Sequence, residues 1–222
     1  GPNYNSGVDF DNAGNEIERA GLTNGSLYGI TIPSLPAGPA NNEDRSTAIG
    51  AAKGVPVDFG LVNRGTQFGV TGSSLQAGDE LAGITEWLRP EDGAWDPNNP
   101  NDFYFVTTDR FNNPTPNEGR SRLWKITFDD VTNPTLGGDV TMLLDGTEGQ
   151  QMMDNIGFDE FGNILIQEDP GNNAHTAKIW GYSTTAEKLV LLAQHDPARF
   201  SAPTPPFSRD EESSGITDVT DI

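Results

Sequence analysis

The sequence predicts an all-β fold in which short strands are joined by many turns. The chain of 222 residues contains 26 Gly and 16 Pro, a content that is typical of turn-rich folds or of disorder. The 11 Phe, 4 Trp and 4 Tyr residues favour a packed core over disorder. No amphipathic pattern of ten or more residues indicates a helix.

Candidate strands follow one another at intervals of roughly 10–15 residues, separated by linkers rich in Asn, Gly and Pro. At most one helical turn is expected, around Ser46–Ala52, and a last strand is expected to begin at Ile216. The other candidate strands are Leu27–Ile32, Val57–Val62, Gln67–Val70, Asp102–Thr108, Arg122–Phe128, Asp139–Leu144, Asn155–Asp159, Asn163–Gln167, Lys178–Ser183 and Leu189–Gln194.

Two segments, 93–105 and 158–166, share one plan, in which an apolar or aromatic strand is paired across an acidic or Asn-rich turn. Repeated hairpins of this kind predict the blades of a β-propeller. Because a blade needs about 40–50 residues, residues 25–222 would supply about three to five blades, which is a partial propeller. Gly1-Pro2 is interpreted as a tag remnant, and 3–24 as an irregular segment.

The net charge of −20 argues against a nucleic-acid partner, since such binding depends on Lys and Arg that neutralise phosphates. It favours bound cations instead. The chain has no Cys, which excludes disulfides and thiolate metal sites but not secretion. No apolar run is long enough for a membrane span.

Four acidic clusters lie at the expected strand starts, beside Gly or Pro. Their Asp, Glu and Asn side chains offer the oxygens that Ca²⁺ prefers. Since the inner strands of propeller blades begin near the central channel, the clusters could converge there. The alternative is that they are solvated turn and cap residues. The clusters occupy residues 89–97, 153–156, 167–173 and 210–216.

A few other side chains could contribute to binding. Arg89 could bind a phosphate through its forked guanidinium or form a salt bridge. His175, beside the third cluster, could bind an anion or a metal or be structural, whereas His195 is expected to be a turn residue. Neither Ser213 nor Ser214 has a base visible in the sequence, and no nucleophile motif is present.

Seven segments carry a resemblance to bacterial PhoX-type alkaline phosphatases, closest to the phytase- or esterase-like branch. It covers most of residues 83–222 and extends more loosely over 24–82. The segments are RPEDGAWDP (89–97), DPNNPNDFYFVTTDRF (96–111), GRSRLWKITFDD (119–130), MLLDGTEG (142–149), MDNIGFDEFGNILIQEDPGNN (153–173), LLAQHDPARF (191–200) and DEESSGITDVTDI (210–222).

The resemblance implies a six-bladed propeller and a secreted or periplasmic hydrolase of phosphate monoesters. It also implies calcium and iron ions held by Glu and Asp side chains. By motif, Glu91 and Glu212 would be metal ligands, and so would Glu168, Asp169 and Asp154.

The sequence departs from the family pattern because the better-known members use a Cys iron ligand and are about twice as long. Either this branch replaces the Cys, or the ligand and further blades lie outside the chain. The alternative function is a non-catalytic, calcium-stabilised propeller piece. Such a piece would pair through open sheet edges with a missing half, with a copy of itself or with another protein. A lactonase-like hydrolysis is a weaker alternative.

Overall fold

The computed structural model describes residues 26–38, 41–43, 53–67, 69–108, 121–171, 175–200, 207–208 and 210–220, together with Glu16. The chain divides into two compact units. The first contains residues 1–87 and 126–140, and the second contains residues 88–125 and 141–222. The tag remnant, the rest of the irregular segment 3–24 and the helical turn expected at Ser46–Ala52 lie outside the described residues.

The fold is all-β, as predicted, and the described residues form ten strands and one helix of ten residues. A 3-10 turn (Pro134–Leu136) and a helical turn, α2 (Pro197–Phe200), complete the elements. The longer elements are β1 (Leu27–Thr31), β2 (Val57–Gly65), α1 (Gly72–Leu81), β3 (Pro90–Trp95), β4 (Asp102–Thr107), β5 (Arg122–Phe128), β6 (Gly138–Leu144), β7 (Met153–Phe158), β8 (Asn163–Glu168), β9 (Lys178–Ser183) and β10 (Lys188–Gln194).

The strands are hydrogen-bonded in two sheets. The orders are β1-β2-β6-β5-β4-β3 and β10-β9-β8-β7. Both sheets contain four consecutive strands that pair in chain order, β3 to β6 and β7 to β10. Such four-stranded meanders are the repeating unit of β-propellers, and the fold is accordingly that of a partial β-propeller.

Helix α1 in the first unit is a departure from the sequence prediction, which expected no helix and a strand at Gln67–Val70. The described residues of that segment form a loop and turn that lead into α1. The Thr71 hydroxyl caps the helix by accepting the Ser74 N–H at 3.3 Å. No residue of α1 is buried, so the helix lacks the apolar stripe from which periodicity could have predicted it.

Arg64 of β2 fixes the helix to its unit. Its Nε donates to Asp79 Oδ1 at 2.8 Å. A Cβ added to Gly78 would lie 2.4 Å from the guanidinium of Arg64, so a glycine at this position lets the arginine pass across the helix.

The second unit contains the main apolar core, contributed by β4 to β9. Ile166 is at its centre because it pairs directly with Ile156 of β7 and Trp180 of β9. The core residues are Tyr104, Val106, Leu123, Leu144, Met153, Ile156, Ile164, Ile166, Trp180 and Tyr182.

Three strand boundaries differ from the sequence prediction. β3 begins at Pro90, where its first residue needs no N–H for the ladder. β7 begins at Met153 rather than Asn155. The strand expected at Ile216 is absent from the described residues 210–220, which form an extended segment without ladder pairing. No helix among the described residues is long and apolar enough to cross a membrane.

Ile166→Ala should lower the free energy of unfolding by about 3 kcal/mol, since it leaves a cavity where the side chain is fully buried. Val190→Ala is the matched control, because Val190 is 48% exposed on β10 and its truncation should cost less than about 1 kcal/mol. Urea denaturation measures both. Equal losses for the two variants would contradict the assigned core.

Candidate functional site

Strands β3 and β7 of the second unit begin in the same unusual way. The residue two positions before the first acidic residue of each strand has a positive φ, 55° at Arg89 and 50° at Met152. A non-glycine residue in this conformation costs about 1–3 kcal/mol and persists only where its surroundings enforce it. The backbone therefore enters both strands in an enforced, strained conformation.

A β-bulge follows in each of the two strands. In β3 the pairing moves from Pro90 with Thr107 to Gly93 with Phe105, so one extra residue is accommodated around Glu91 and Asp92. In β7 Asp154 is the extra residue between Met153 and Asn155. Bulges redirect side chains and are frequent beside active sites.

Asp92 links the two strand starts directly. Its Oδ2 accepts the N–H of Ile156 at 3.0 Å, and its Oδ1 accepts the N–H of Gly93 at 2.8 Å. The carboxylate of β3 thus replaces a strand partner for the backbone of β7. Asp92 was not among the ligands that the sequence analysis proposed.

Five carboxylates interact electrostatically at this place, and we call them the acidic cluster. Burial and, after it, the negative charges of the other four carboxylates together raise the pKa of Asp154 to about 6. Four of the five are ligands expected from the sequence, although they lie up to 121 positions apart. The acidic cluster consists of Glu91, Asp92, Asp154, Asp169 and Glu212.

Arg89 brings a positive charge to the edge of the acidic cluster. Its guanidinium nitrogen lies 3.1 Å from Glu91 Oε1, and its side chain is 47% exposed. A partly exposed pair of this kind contributes little to stability. The arginine can therefore bind an incoming anion with little loss of fold stability.

Glu168, another predicted metal ligand, is fully buried and carries four hydrogen bonds. Its Oε1 accepts the N–H of Gln151 and the indole N–H of Trp180, both at 2.8 Å. Its Oε2 accepts the N–H of Lys178 at 2.9 Å and lies 2.6 Å from His175 Nε2. Both oxygens are engaged. In this structure Glu168 therefore holds the backbone of Gln151 and Lys178 and the side chains of Trp180 and His175 in place.

His175 and Glu168, two residues expected in the site, are thus brought together, but as partners of each other. One of the two imidazole nitrogens, Nε2, lies 2.6 Å from Glu168 Oε2. The structure therefore shows His175 in a supporting position, and its predicted role in substrate binding stays a prediction.

The segment that carries Glu212 is attached to the sheet by its neighbours. Glu211 is buried, and its Oε1 accepts the N–H of Ala177 at 3.3 Å. Ser213 Oγ lies 3.0 Å from His195 Nε2. Glu212 itself is exposed and accepts the Ser214 hydroxyl at 2.7 Å, so it remains accessible from solvent. The expectation that His195 is a structural residue stays a prediction.

The sequence analysis missed the residues that fix Met153 at the start of β7. Thr108 Oγ1 donates to the Met153 carbonyl at 2.6 Å, and Ser121 Oγ accepts the Met153 N–H at 2.7 Å. These contacts join residues 45 and 32 positions apart, so no local sequence pattern predicts them. Asp92 had a local signal, because it stands beside Glu91 in an acidic pair.

The donor set of the acidic cluster fits a hard cation. It contains only carboxylate oxygens, which are the ligands of Ca²⁺ and of other hard metals. Burial and then the charges of the other four carboxylates hinder ionisation of Asp154, and a cation would offset the repulsion between the charges. Among the described residues, however, no three His, Asp or Glu side chains are already arranged at metal-binding distances.

The family model described as "Alkaline phosphatase PhoX" matches residues 22–217, which is most of the chain. No curated protein and no solved structure matches the sequence.

Asp154→Asn should stabilise the cation-free protein at neutral pH. The folded-state pKa of Asp154, about 6, exceeds the ordinary value of 3.8. The native state therefore retains this proton, and the resulting stability is present below pH 4 and lost as the pH rises through 6. In chelator, the melting temperature of D154N should equal that of the wild type near pH 4 and exceed it at pH 7.

Glu160→Gln is the matched control, since it removes an exposed acid of the β7–β8 turn and should leave the pH profile unchanged. Calcium should reverse the order at pH 7, because only the wild type has the fifth carboxylate. Identical pH profiles for D154N and the wild type would refute the interaction of Asp154 with the other four carboxylates.

Proposed function

This chain belongs to the alkaline phosphatase PhoX family, and from that premise we propose that it is a metal-dependent phosphomonoesterase whose acidic cluster binds the metal. The convergence of Glu91, Asp154, Asp169 and Glu212 is the observation that supports the proposal. These residues come from four separate segments, and the family resemblance had marked each of them as a ligand.

The ligands would be Glu91, Asp154, Asp169 and Glu212. Bound metal ions supply positive charge to the phosphate oxygens and activate an oxygen nucleophile. Asp92 is left out of the ligand set because both of its oxygens accept backbone N–H groups. It acts instead by keeping β3 and β7 at a fixed separation.

Calcium is the metal that we propose first. The chain has no Cys, so the thiolate iron ligand of the better-known family members has no counterpart here. Carboxylates also bind ferric iron, and iron is therefore the second metal to be measured. Carboxylate sites of this exposed kind resemble the extracellular calcium modules that bind in the millimolar range, and we accordingly propose a secreted or periplasmic location.

Arg89 would bind the substrate phosphate. A guanidinium forms two parallel hydrogen bonds with a phosphate, and the pair with Glu91 positions it at the edge of the acidic cluster. Glu168 and His175 do not face the substrate in this mechanism. They support the loop before β7 and the start of β9, between which the ligands Asp154 and Asp169 lie.

The alternative, a non-catalytic propeller piece that assembles through a sheet edge, has one observation in its favour. Strand β10 is the last strand of its sheet. Its Val190, Leu191 and Leu192 are 48%, 45% and 56% exposed, and an apolar edge strand promotes pairing with another chain. A second copy or another blade would cover it.

Glu91→Gln and Glu212→Gln should each lower kcat/KM for p-nitrophenyl phosphate about 10- to 100-fold, with a parallel loss of bound metal. The assay is run with calcium, with iron and with chelator, and metal content is measured in the same samples. Glu160→Gln is the control and should keep wild-type values. Calcium binding without turnover by the wild type would exclude the enzyme proposal for this chain and favour the alternative.

Arg89→Lys should raise KM about 10-fold and change kcat less, because the lysine keeps the charge but loses the two-pronged contact. Arg122→Lys offers no control, since Arg122 is buried. Arg199→Lys does, because its side chain is 61% exposed in a separate ion pair with Asp196. An unchanged KM in R89K would show that Arg89 serves only as a partner of Glu91.

A further inference from the structure

We propose that the second unit carries a further hydrolytic site, a metal-independent serine esterase in which Ser213 is the nucleophile and His195 is its general base. The substrate class is a neutral carboxylic ester with an apolar acyl group. This activity does not use the acidic cluster, and it stands whether or not the chain hydrolyses phosphate esters.

The hydrogen bond between Ser213 and His195 carries the inference. Ser213 Oγ lies 3.0 Å from His195 Nε2, and a serine nucleophile and its base need a separation of about 2.6–3.2 Å. Both residues are half-buried, so the pair is partly screened from water and can still be reached by a small molecule. The two residues are 18 positions apart, and for that reason the sequence showed no base for Ser213.

Glu211 is suited to orient the imidazole of His195. When Nε2 accepts the serine proton, Nδ1 carries the other hydrogen and needs an acceptor. His195 Nδ1 and Glu211 Oε2 are both buried and have no hydrogen-bond partner within the described part of the chain. An unpaired buried polar group is costly, so a bond between this donor and this acceptor would remove both costs.

His195 and Glu211 are fixed to the same backbone position, Ala177, just before β9. The N–H of His195 donates to the Ala177 carbonyl at 3.0 Å, and Glu211 Oε1 accepts the Ala177 N–H at 3.3 Å. The Nδ1 and Oε2 atoms are not bonded to each other in this structure, and catalytic hydrogen bonds often shorten only when substrate binds. Glu211 is therefore a positioning residue, which acts through His195.

Aromatic rings beside His195 indicate the substrate class. The imidazole contacts Phe200 at a centroid distance of 5.2 Å, and Phe200 stacks on Phe207 at 5.7 Å. Phe207 is 55% exposed, so this apolar surface is open to an acyl group. The three residues before Ser213 are all acidic, Asp210–Glu212, and their charges repel an anion. A neutral ester fits these surroundings better than a phosphate does.

The reaction is an acyl transfer in two steps. Ser213 Oγ attacks the ester carbonyl carbon while its proton passes to His195 Nε2, and the carbon–oxygen bond to the alcohol breaks as Nε2 returns that proton to the leaving oxygen. Water then attacks the acyl-serine with the same help from His195. The acid leaves, and Ser213 regains its proton. The segment after Ser213 has no ladder pairing, so its N–H groups are not engaged in a sheet and can donate to the oxyanion.

The test combines hydrolysis of p-nitrophenyl butyrate, with and without chelator, and labelling by a fluorophosphonate in calcium buffer. The wild type should hydrolyse the ester in chelator, and mass spectrometry should locate the label on Ser213. Ser213→Ala and His195→Gln should each lower kcat/KM about 100-fold or more and abolish labelling. Ser73→Ala removes an exposed serine of α1 and, as the control, should keep wild-type values.

Glu211→Gln should lower kcat about 10-fold or more and leave KM unchanged, because the amide orients the imidazole but does not stabilise its charge. A role in folding alone would lower the folded fraction, measured by near-UV circular dichroism, and leave kcat per folded molecule unchanged.

A folded wild type that is not labelled at Ser213, or ester hydrolysis that persists in both Ser213→Ala and His195→Gln, would overturn the proposal. So would ester hydrolysis that requires calcium or iron in a protein that stays folded in chelator, since that result would assign the activity to the acidic cluster. Phosphatase activity is measured separately with p-nitrophenyl phosphate, so its failure leaves the labelling of Ser213 unaffected.

Discussion

The buried carboxylate of Glu168 is the interaction on which the second unit depends. It binds the backbone of Gln151, which leads into β7, and of Lys178, which begins β9, and it also pairs with Trp180 and His175. Removal of one partner of such a buried charged network costs about 3–5 kcal/mol, because the other groups are left unpaired. Glu168 thus joins the loop before β7 to the start of β9.

Close to Glu168 in the sequence, Asp154 and Asp169 belong to a cluster of carboxylates that repel one another. Burial and then the charges of neighbouring carboxylates raise the pKa of Asp154, and both destabilise the folded chain at neutral pH. Strained backbone at Arg89 and Met152 adds to the cost. A ligand that binds only the native state offsets such costs in proportion to its concentration. The metal binding proposed above would therefore raise the free energy of unfolding of this protein.

The sequence was sufficient for most of the strands, because turn residues and β-rich runs are local signals, although it was wrong at Gln67–Val70 and at Ile216. The family motifs marked Glu91, Asp169 and Glu212 as ligands, and that role stays a prediction. The sequence was insufficient where the determining contact is distant. Asp92 acts on Ile156, 64 positions away, so nothing beside it in the chain reveals its function. The exposed helix Gly72–Leu81 was not predicted because it has no buried face and therefore no apolar periodicity. The sequence marked Glu168 as an acid of the site. It could not show that the side chain is buried and that both of its oxygens accept hydrogen bonds from the protein.

The bulge at Asp154 has an evolutionary consequence. Met153 already pairs with Glu168 and Asn155 with Gln167, so deletion of this one residue would leave a continuous ladder and a sheet of unchanged pairing. A single codon thus separates this sheet with the proposed ligand Asp154 from a sheet of the same pairing without it.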